Sequence, residues 1–533
     1  MQKPLAIVVV GGILLAPLLI LMVLPVLIDL FSRRQPPAVP AEGRSVPAVG
    51  ISVAFTALLL LAGCAVGLDF ARPAAPAVER YTPGPLPGQT AAAPGLGGAA
   101  QRLVAGRDIP GEWWTLFRSE PLNALIAQAL RANPTLASAE AALRQAHELT
   151  LAGQGAFFPT VQANFGASRN KTASSLSPTP ANDSLYFSLY NAQLGVSYVP
   201  DVFGGTRRQV EALAAQEEAQ RFELEAAYLT LTANLVAAVV TEAALRGQIA
   251  ATGEIVTIAR DSLGILGRQQ TLGQVAGGDV AAQEAALAQA EATLPPLQKQ
   301  LGQQRHLIAV LVGRYPSEQP AAQFDLAGLH LPQDVPVSLP SRLVEQRPDI
   351  RAAEAQLHAA SAAIGIAVAN RLPQITLSAN AGVTATALAQ LVTPGAGFWS
   401  LAGNLAQTIF DAGTLLHRQR AAEAGFDQAA AQYRATVLTA FQNVADALRA
   451  LESDADTLKA VAAAEGAAAR SLAIARHQLA LGAVNYLALL NAEQTYQQAR
   501  IALVQAEAAR FADTAALFQA LGGGWWNRPA GSR

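Results

Sequence analysis

The chain has 533 residues, of which 51% are apolar, 14% charged and 6% aromatic, and its formal net charge is -2. So few charges on so long a chain argue against an ordinary soluble enzyme, and the near-zero balance gives no sign of a nucleic-acid partner. The single cysteine excludes an internal disulfide. Much of the apolar excess is alanine, which favours helix and lets helix axes approach closely.

Leu5 to Ile28 is an unbroken apolar run, long enough to span a bilayer, and Arg33 and Arg34 follow it. Within residues 1–34, MQKPLAIVVVGGILL and then VLPVLIDLF resemble the last membrane helix of a resistance-nodulation-division (RND) efflux permease of the metal-exporting type. The segment reads as a gene fusion or an early start. A second apolar stretch, Ile51 to Ala62, is preceded by Arg44 and ends in Leu61-Ala62-Gly63-Cys64. Its length and flanks fit a secretory signal rather than a spanning helix. Leu-Ala-Gly-Cys resembles the bacterial lipoprotein box, and the one cysteine stands at its end. The resemblance implies that residues 1–63 are removed, that Cys64 carries a diacylglyceryl thioether, and that its new amino terminus is acylated with a palmitate-type chain. Several acyl chains, at ~0.8 kcal/mol per buried methylene, hold a terminus firmly in a membrane. Ala65, where an acidic residue would retain such a lipoprotein, implies sorting to the outer membrane. Residues 64–110 are rich in Pro, Ala and Gly without a usable period and read as an extended tether.

From Gly111 the chain turns helical. Leu122, Leu125, Ile126, Ala129 and Leu130 lie on one face of a helix that Asn133-Pro134 ends, and a second helix runs from about Thr135 to Phe157. Then Val161, Ala163, Phe165 and Ala167 alternate with Gln162, Asn164, Gly166 and Ser168. Past a polar loop, Ala192, Leu194, Val196 and Tyr198 alternate with Gln193, Gly195 and Ser197. A period of two marks strands wet on one side, here a hairpin within 159–203. A second hairpin, within 373–410, shows the same alternation: Ile375, Leu377, Ala379, Ala381 and Val383 on one face, then Trp399, Leu401, Gly403 and Leu405.

The hairpins belong to a duplication. Pro134 and Pro348, Pro159 and Pro373, Phe203 and Phe410, and Leu272-Gly273 and Leu481-Gly482 lie 214, 214, 207 and 209 residues apart. The repeats span 111–314 and 341–526, with an irregular linker at 315–340 and a tail at 527–533. Each reads short helix, hairpin, long helix, turn and return helix. The long helices, Thr206 to Gly267 and Thr414 to Ala480, reach ~90 to 100 Å each. The return helices, Val280 to Val312 and Asn485 to Ala520, are about half as long. Four strands cannot close a useful barrel, and lipid does not tolerate their unpaired edges. Oligomerisation follows from this physics, and its order does not.

GEWWTLFRSEPLNALIAQALRANPTLASAEAALRQA, EQRPDIRAAEAQLHAASAAIGIAVANRLPQITLSA, FDAGTLLHRQRAAEAG and the terminal ALGGGWW are together specific. From Cys64 to about Trp526 the chain resembles the outer-membrane factors of tripartite efflux systems, the TolC-like proteins of the lipoprotein (NodT-type) branch. The resemblance implies a mainly helical fold with a transmembrane hairpin pair. Three chains would close one twelve-stranded barrel on a long helical barrel that reaches into the periplasm. Small molecules or metal ions would pass passively to the exterior, with a periplasmic adaptor and an inner-membrane RND pump as partners. The first rival is a type I secretion channel of the same architecture, against which the lipobox stands. The second is a non-channel scaffold lipoprotein, which leaves two amphipathic hairpins unexplained.

The turns at Leu272-Gly273 and Leu481-Gly482 need no more than glycine's freedom to join antiparallel helices. The resemblance makes them the periplasmic gate and adaptor contact. Family members carry acidic residues six positions after each turn glycine and again three further on in the second copy. Here Asp279 keeps the first position, while Ala488 and Asn491 occupy the other two. Three copies of Asp279 would ring the mouth with carboxylates; equally, aspartate suits a solvated helix start. Histidines 147, 306, 330, 358, 417 and 477 have no ligand spacing, so no metal site is expected. Trp113 and Trp114 stand far from the strands and fit internal packing better than membrane anchoring. There is no P-loop, HExxH, GxSxG or clustered carboxylate pair, so catalysis has no seat and no cofactor is expected beyond the lipid on Cys64.

Overall fold

The structure, a computed structural model, describes residues 66–67, 69–85, 87–172 and 186–528. Cys64, the apolar segments before it and the end of the tail lie outside the described residues. In chain order come strand β1 (Arg102–Ala105), helices α1 (Glu120–Ala132) and α2 (Pro134–Gln154), and strands β2 (Thr160–Lys171) and β3 (Tyr186–Tyr198). Helices α3 (Gly205–Thr271), α4 (Gly277–Ala292) and α5 (Leu294–Leu311) follow, then strand β4 (Asp334–Val337). Helices α6 (Pro340–Gln346) and α7 (Pro348–Ala369) precede strands β5 (Gln374–Ala385) and β6 (Gly397–Ala406). Helices α8 (Thr414–Ala480) and α9 (Tyr486–Ala520) complete the set.

α3 and α8 are 67 residues each, ~100 Å of helix. Twin aspartates start them. Asp201 accepts from the Thr206 and Arg207 amides, both at 2.9 Å, and Asp411 from those of Gly413 at 2.9 Å and Leu415 at 2.8 Å. The Leu415 N–H, followed by those of Gly413 and Thr414, holds the Asp411 carboxyl below the usual carboxylate range. Replacing Asp201 by Ala frees amides that no other helical group can satisfy. The Asp201→Ala protein is expected to lose about 0.5 to 2 kcal/mol, read as a lower urea midpoint with an unchanged slope.

The return segment of the first repeat differs from the expected single helix. It breaks at Thr293, between α4 and α5, because Pro295 and Pro296 lack amide hydrogens and their rings displace the preceding turn. Its counterpart α9 has no proline and runs 35 residues unbroken.

By packing, the chain divides into two units. Among the described residues, one holds those from Val66 to Ala71, Gln145–Glu217 and Gln356–Ala429; the other holds Arg72–Arg144, Glu218–Ala355 and those from Ala430 to Arg528. In the first, the segment before Ala71 is docked rather than free. The Val66 amide donates to Phe203 O at 3.0 Å, and the buried Arg208 guanidinium donates to Val66 O, Gly67 O and, at 2.7 Å, Asp69. Phe70 stacks on His358 with centroids 4.4 Å apart. Gly67 takes a φ of +96° and lies so close to Gly365 that a Cβ would meet its Cα at 2.7 Å. Backbone contact of this kind leaves no period in a sequence.

In the second unit, Tyr81 donates to Ser338 O at 3.0 Å, and β1 pairs parallel with β4, Arg102 opposite Asp334 and Ala105 opposite Val337. The stretch read as an irregular linker thus carries a strand. The core of this unit gathers Trp113, Phe117, Leu122 and Ile126 with Leu235 of α3, Leu343 of α6, Leu448 of α8 and Phe518 of α9. Trp113 and Trp114 are packing residues, buried to 1% and 8% exposure.

Candidate functional site

Two places stand out as candidate sites, one in each unit. In the first unit the hairpins join through β3 and β5 into one antiparallel sheet of order β2-β3-β5-β6. Register decides what that join does. Ala163, Leu194, Ala381 and Trp399 fall in one row, and Val161, Val196, Ala379 and Leu401 in another. Between them lies a row of Gln162, Gly195, Asn380 and Ser400, flanked by one of Asn164, Gln193, Gly382 and Phe398. Because side chains alternate faces, the apolar rows share one face and the mainly polar rows the other. A slip of one residue between β3 and β5 would mix them.

The apolar face is uncovered: Leu194, Leu401 and Leu405 are 57%, 51% and 67% exposed. A soluble monomer does not leave such a patch to water. The strands have 12, 13, 12 and 10 residues. At ~3.3 Å per residue and a tilt of about 40° they rise roughly 30 Å, close to a bilayer's hydrocarbon core. Charges within the strands are confined to Arg169 and Lys171 at the end of β2, where Tyr186 and Phe187 sit opposite. Tyr198 marks the other end of β3, in keeping with aromatic girdles. β2 and β6 are left as open edges.

In the second unit, the α3–α4 and α8–α9 turns are built alike. Gly273 and Gly482 adopt φ of +71° and +68°. Each donates three residues back, to Gln270 O and Leu479 O, and the next amide donates five back, to Gln269 O and Gln478 O. These bonds close each helix with a left-handed glycine. Leu272 and Leu481, just before the glycines, are 71% and 69% exposed. Asp279 sits half-buried in the first turn of α4. Ala488 is half-buried early in α9, its amide capped by the Asn485 side chain at 3.2 Å, and Asn491 is exposed one turn on.

Sequence reasoning missed what lies beneath these turns. Glu493, buried on α9, accepts from Ser262 of α3 at 2.6 Å and from Gln283 of α4 at 3.4 Å. Gln283 also donates to Ala259 O at 2.8 Å and accepts from the Tyr486 hydroxyl. Burial pushes the Glu493 carboxyl above its ordinary range, with the Ser262 and Gln283 bonds opposing. Burial also raises Tyr486, aided by the charges of Glu493 and Asp279. The signal was Tyr486 and Glu493 seven residues apart, polar groups on the apolar face of one helix. Their partners lie more than two hundred residues away in sequence, beyond any local pattern. Among the described residues, no group of three or more His, Cys, Asp or Glu gathers to hold a metal.

The profile of the outer membrane efflux protein family matches residues 125–314 and 339–523, one match per repeat. The chain belongs to this family. As an outer membrane efflux protein it is a transport component rather than an enzyme, and its place is the outer membrane. It is 30% identical over 485 residues to the outer membrane protein OprJ of Pseudomonas aeruginosa, covering 90% of this chain and 96% of that one. It is 28% identical over 450 residues to the pyoverdine export outer membrane protein OpmQ of Pseudomonas putida, covering 83% and 94%. Among solved structures, the outer-membrane channel OprN superposes with a TM-score of 0.78 at 29% identity, covering 87% of this chain and all of that one.

Proposed function

We propose that three copies of this efflux protein close their four-stranded sheets into one twelve-stranded barrel, through which small molecules leave passively for the exterior. The sheet carries this reading: one face apolar and uncovered, the other mainly polar, and two edges that lipid does not tolerate open. The apolar face meets lipid and the polar face lines water. The helix turns, with exposed Leu272 and Leu481 beside Gly273 and Gly482, dock a periplasmic adaptor that links the channel to an inner-membrane pump of the RND class. Asp279 supplies the acidic ring at that mouth, a weak one because Ala488 and Asn491 are neutral. OpmQ is named for pyoverdine and another relative, in Pseudomonas putida, for toluene efflux; relatives named for such different cargo suit a channel that itself selects little.

The lipid on Cys64 belongs to the same reading. The chain is already docked at Val66, whose amide reaches Phe203 just past β3. Acyl chains two residues earlier would enter the leaflet beside the sheet. Purified full-length protein in a planar bilayer is expected to give discrete, long-lived conductance steps. Silent bilayers from correctly oligomeric protein would remove the channel. Mass spectrometry of the mature amino terminus tests the anchor separately, and retention of residues 1–50 would overturn cleavage before Cys64.

A further inference from the structure

We infer that β6 of one copy pairs with β2 of the next so that Phe398 comes level with Leu189 or Phe187 of that next copy. The three residues then form an apolar band near the channel's exit, a contact site for aromatic and aliphatic cargo. The inference rests on the barrel proposed above and says where its seam lies and what the seam builds. β2, β3, β5 and β6 alternate in direction, so β6 runs opposite to β2, and a second copy joins antiparallel as every pair within the sheet does.

Strand bounds and faces leave two registers. Pairing every residue of β6 requires that Ala406 fall no further than Thr160 and Gly397 no further than Lys171. Keeping Leu401 and Leu405 on the face of Val161 and Ala163 excludes the slip between the two, which sets Leu405 against Gln162. Leu405 therefore meets Val161 or Ala163 of the next copy, and Leu401 meets Phe165 or Ala167. Within one copy Leu401 is level with Val161, so each copy steps four or six residues along the strands. Across four strands ~4.8 Å apart, at ~3.3 Å per residue, that step is a tilt of about 35° or 45°, the range in which barrels close. A join without the step gives no tilt and leaves Gly403 to Ala406 beyond the end of β2.

The same step assembles the band. Among the described residues of the strands, Phe187, Leu189 and Phe398 are the large apolar side chains on the mainly polar face, and none on that face is charged. In one copy they stand apart, since Phe398 is level with Gly382 and Gln193, four residues along β3 from Leu189. In the two registers Phe398 meets Ser168 or Asn170 of the next copy, which are paired with Leu189 and Phe187. The apolar groups then share a level two strands apart, ~10 Å, close enough for one organic molecule to touch both. They sit toward the hairpin loops, at the end of the strands away from α2 and α3. Phe187 and Leu189 are 40% and 38% exposed, and Gly382, opposite Phe398, has no side chain to cover it. Covering such surface favours apolar cargo and does nothing for a hydrated ion. The band is a preference for a class, not a pocket for one molecule.

Paired cysteines in the full-length protein locate the seam, because directly opposite positions put Cβ atoms ~5 Å apart, within reach of a disulfide. On oxidation, Leu405→Cys combined with either Val161→Cys or Ala163→Cys should join copies into covalent oligomers on a denaturing gel. Leu405→Cys combined with Gln162→Cys should not. The band is read in planar bilayers from reversal potentials between benzyltriethylammonium and tetraethylammonium, cations alike in charge that differ by one aromatic ring. The wild type should favour the benzyl cation despite its greater size. Phe398→Ser, and separately Phe187→Ser with Leu189→Ser, should reverse that preference. Joining through Gln162, or through none of the three pairs, overturns the register, and the same permeability ratio in wild type and variants overturns the band. Wild-type bilayers without conductance overturn instead the channel on which both rest.

Discussion

Leu401→Arg is expected to abolish assembled protein in the outer membrane, whereas Ser378→Arg should leave it at wild-type level. The two positions occupy adjacent rows of neighbouring strands, Leu401 opposite Ala379 and Ser378 opposite Ala402, on opposite faces of the sheet. Leu401 lies at the middle of β6, so an arginine there would meet the hydrocarbon centre if that face contacts lipid. Such a charge costs about 2 to 4 kcal/mol near the bilayer midplane and falls toward zero at the interfaces. In a threefold assembly the cost is incurred three times, comparable to a typical domain's whole stability of ~5 to 15 kcal/mol. An arginine at Ser378 instead faces water and should shift single-channel selectivity toward anions. Oligomer recovered from outer membranes, seen as a heat-modifiable band, reports the first effect. Equal yields from both variants would remove the assignment of inside and outside.

What the sequence made legible depended on whether a period carried it. The strands announced themselves through strict alternation, and α3 and α8 through helical periodicity sustained far beyond ordinary length. Both emerge within a few residues of their expected bounds. The turn glycines were legible because only a left-handed residue closes a helix in this way. The docking of residues 66–110 was not, since Pro, Ala and Gly contribute backbone groups and close approach rather than a patterned face. The break at Thr293 was written in Pro295-Pro296, a signal that helical periodicity around it concealed. The Ser262–Gln283–Glu493 network was beyond local reasoning, because Glu493 meets Ser262 and Gln283 across more than two hundred residues of sequence. Docking at the turns rests on family resemblance, because exposed leucines and a half-buried Asp279 state what is available and not what arrives.

Trp113→Ala should destabilise the protein by about 3 to 5 kcal/mol, the range for emptying a fully buried aromatic site. The sequence allowed Trp113 two roles, membrane anchor or packing, and these predict opposite results. An anchor would be exposed in detergent-free water and cheap to remove from the fold. Instead the indole is 1% exposed, with its centroid 5.5 Å from Phe518, 6.4 Å from Phe117 and 6.1 Å from Trp114. Gly523, at φ +65°, lies so close that a Cβ would sit 3.4 Å from the Trp113 Nε1, so this wall of the cavity has little side chain with which to refill it. The first short helices, α9 and the chain's glycine-rich end therefore lose their common contact together. Trp399, 73% exposed in β6, provides the contrast. Its replacement by Ala removes almost no internal packing, so the melting temperature in detergent should scarcely move. Thermal unfolding of the two variants side by side decides the matter, because equal losses would mean that Trp113 is not a keystone of this core.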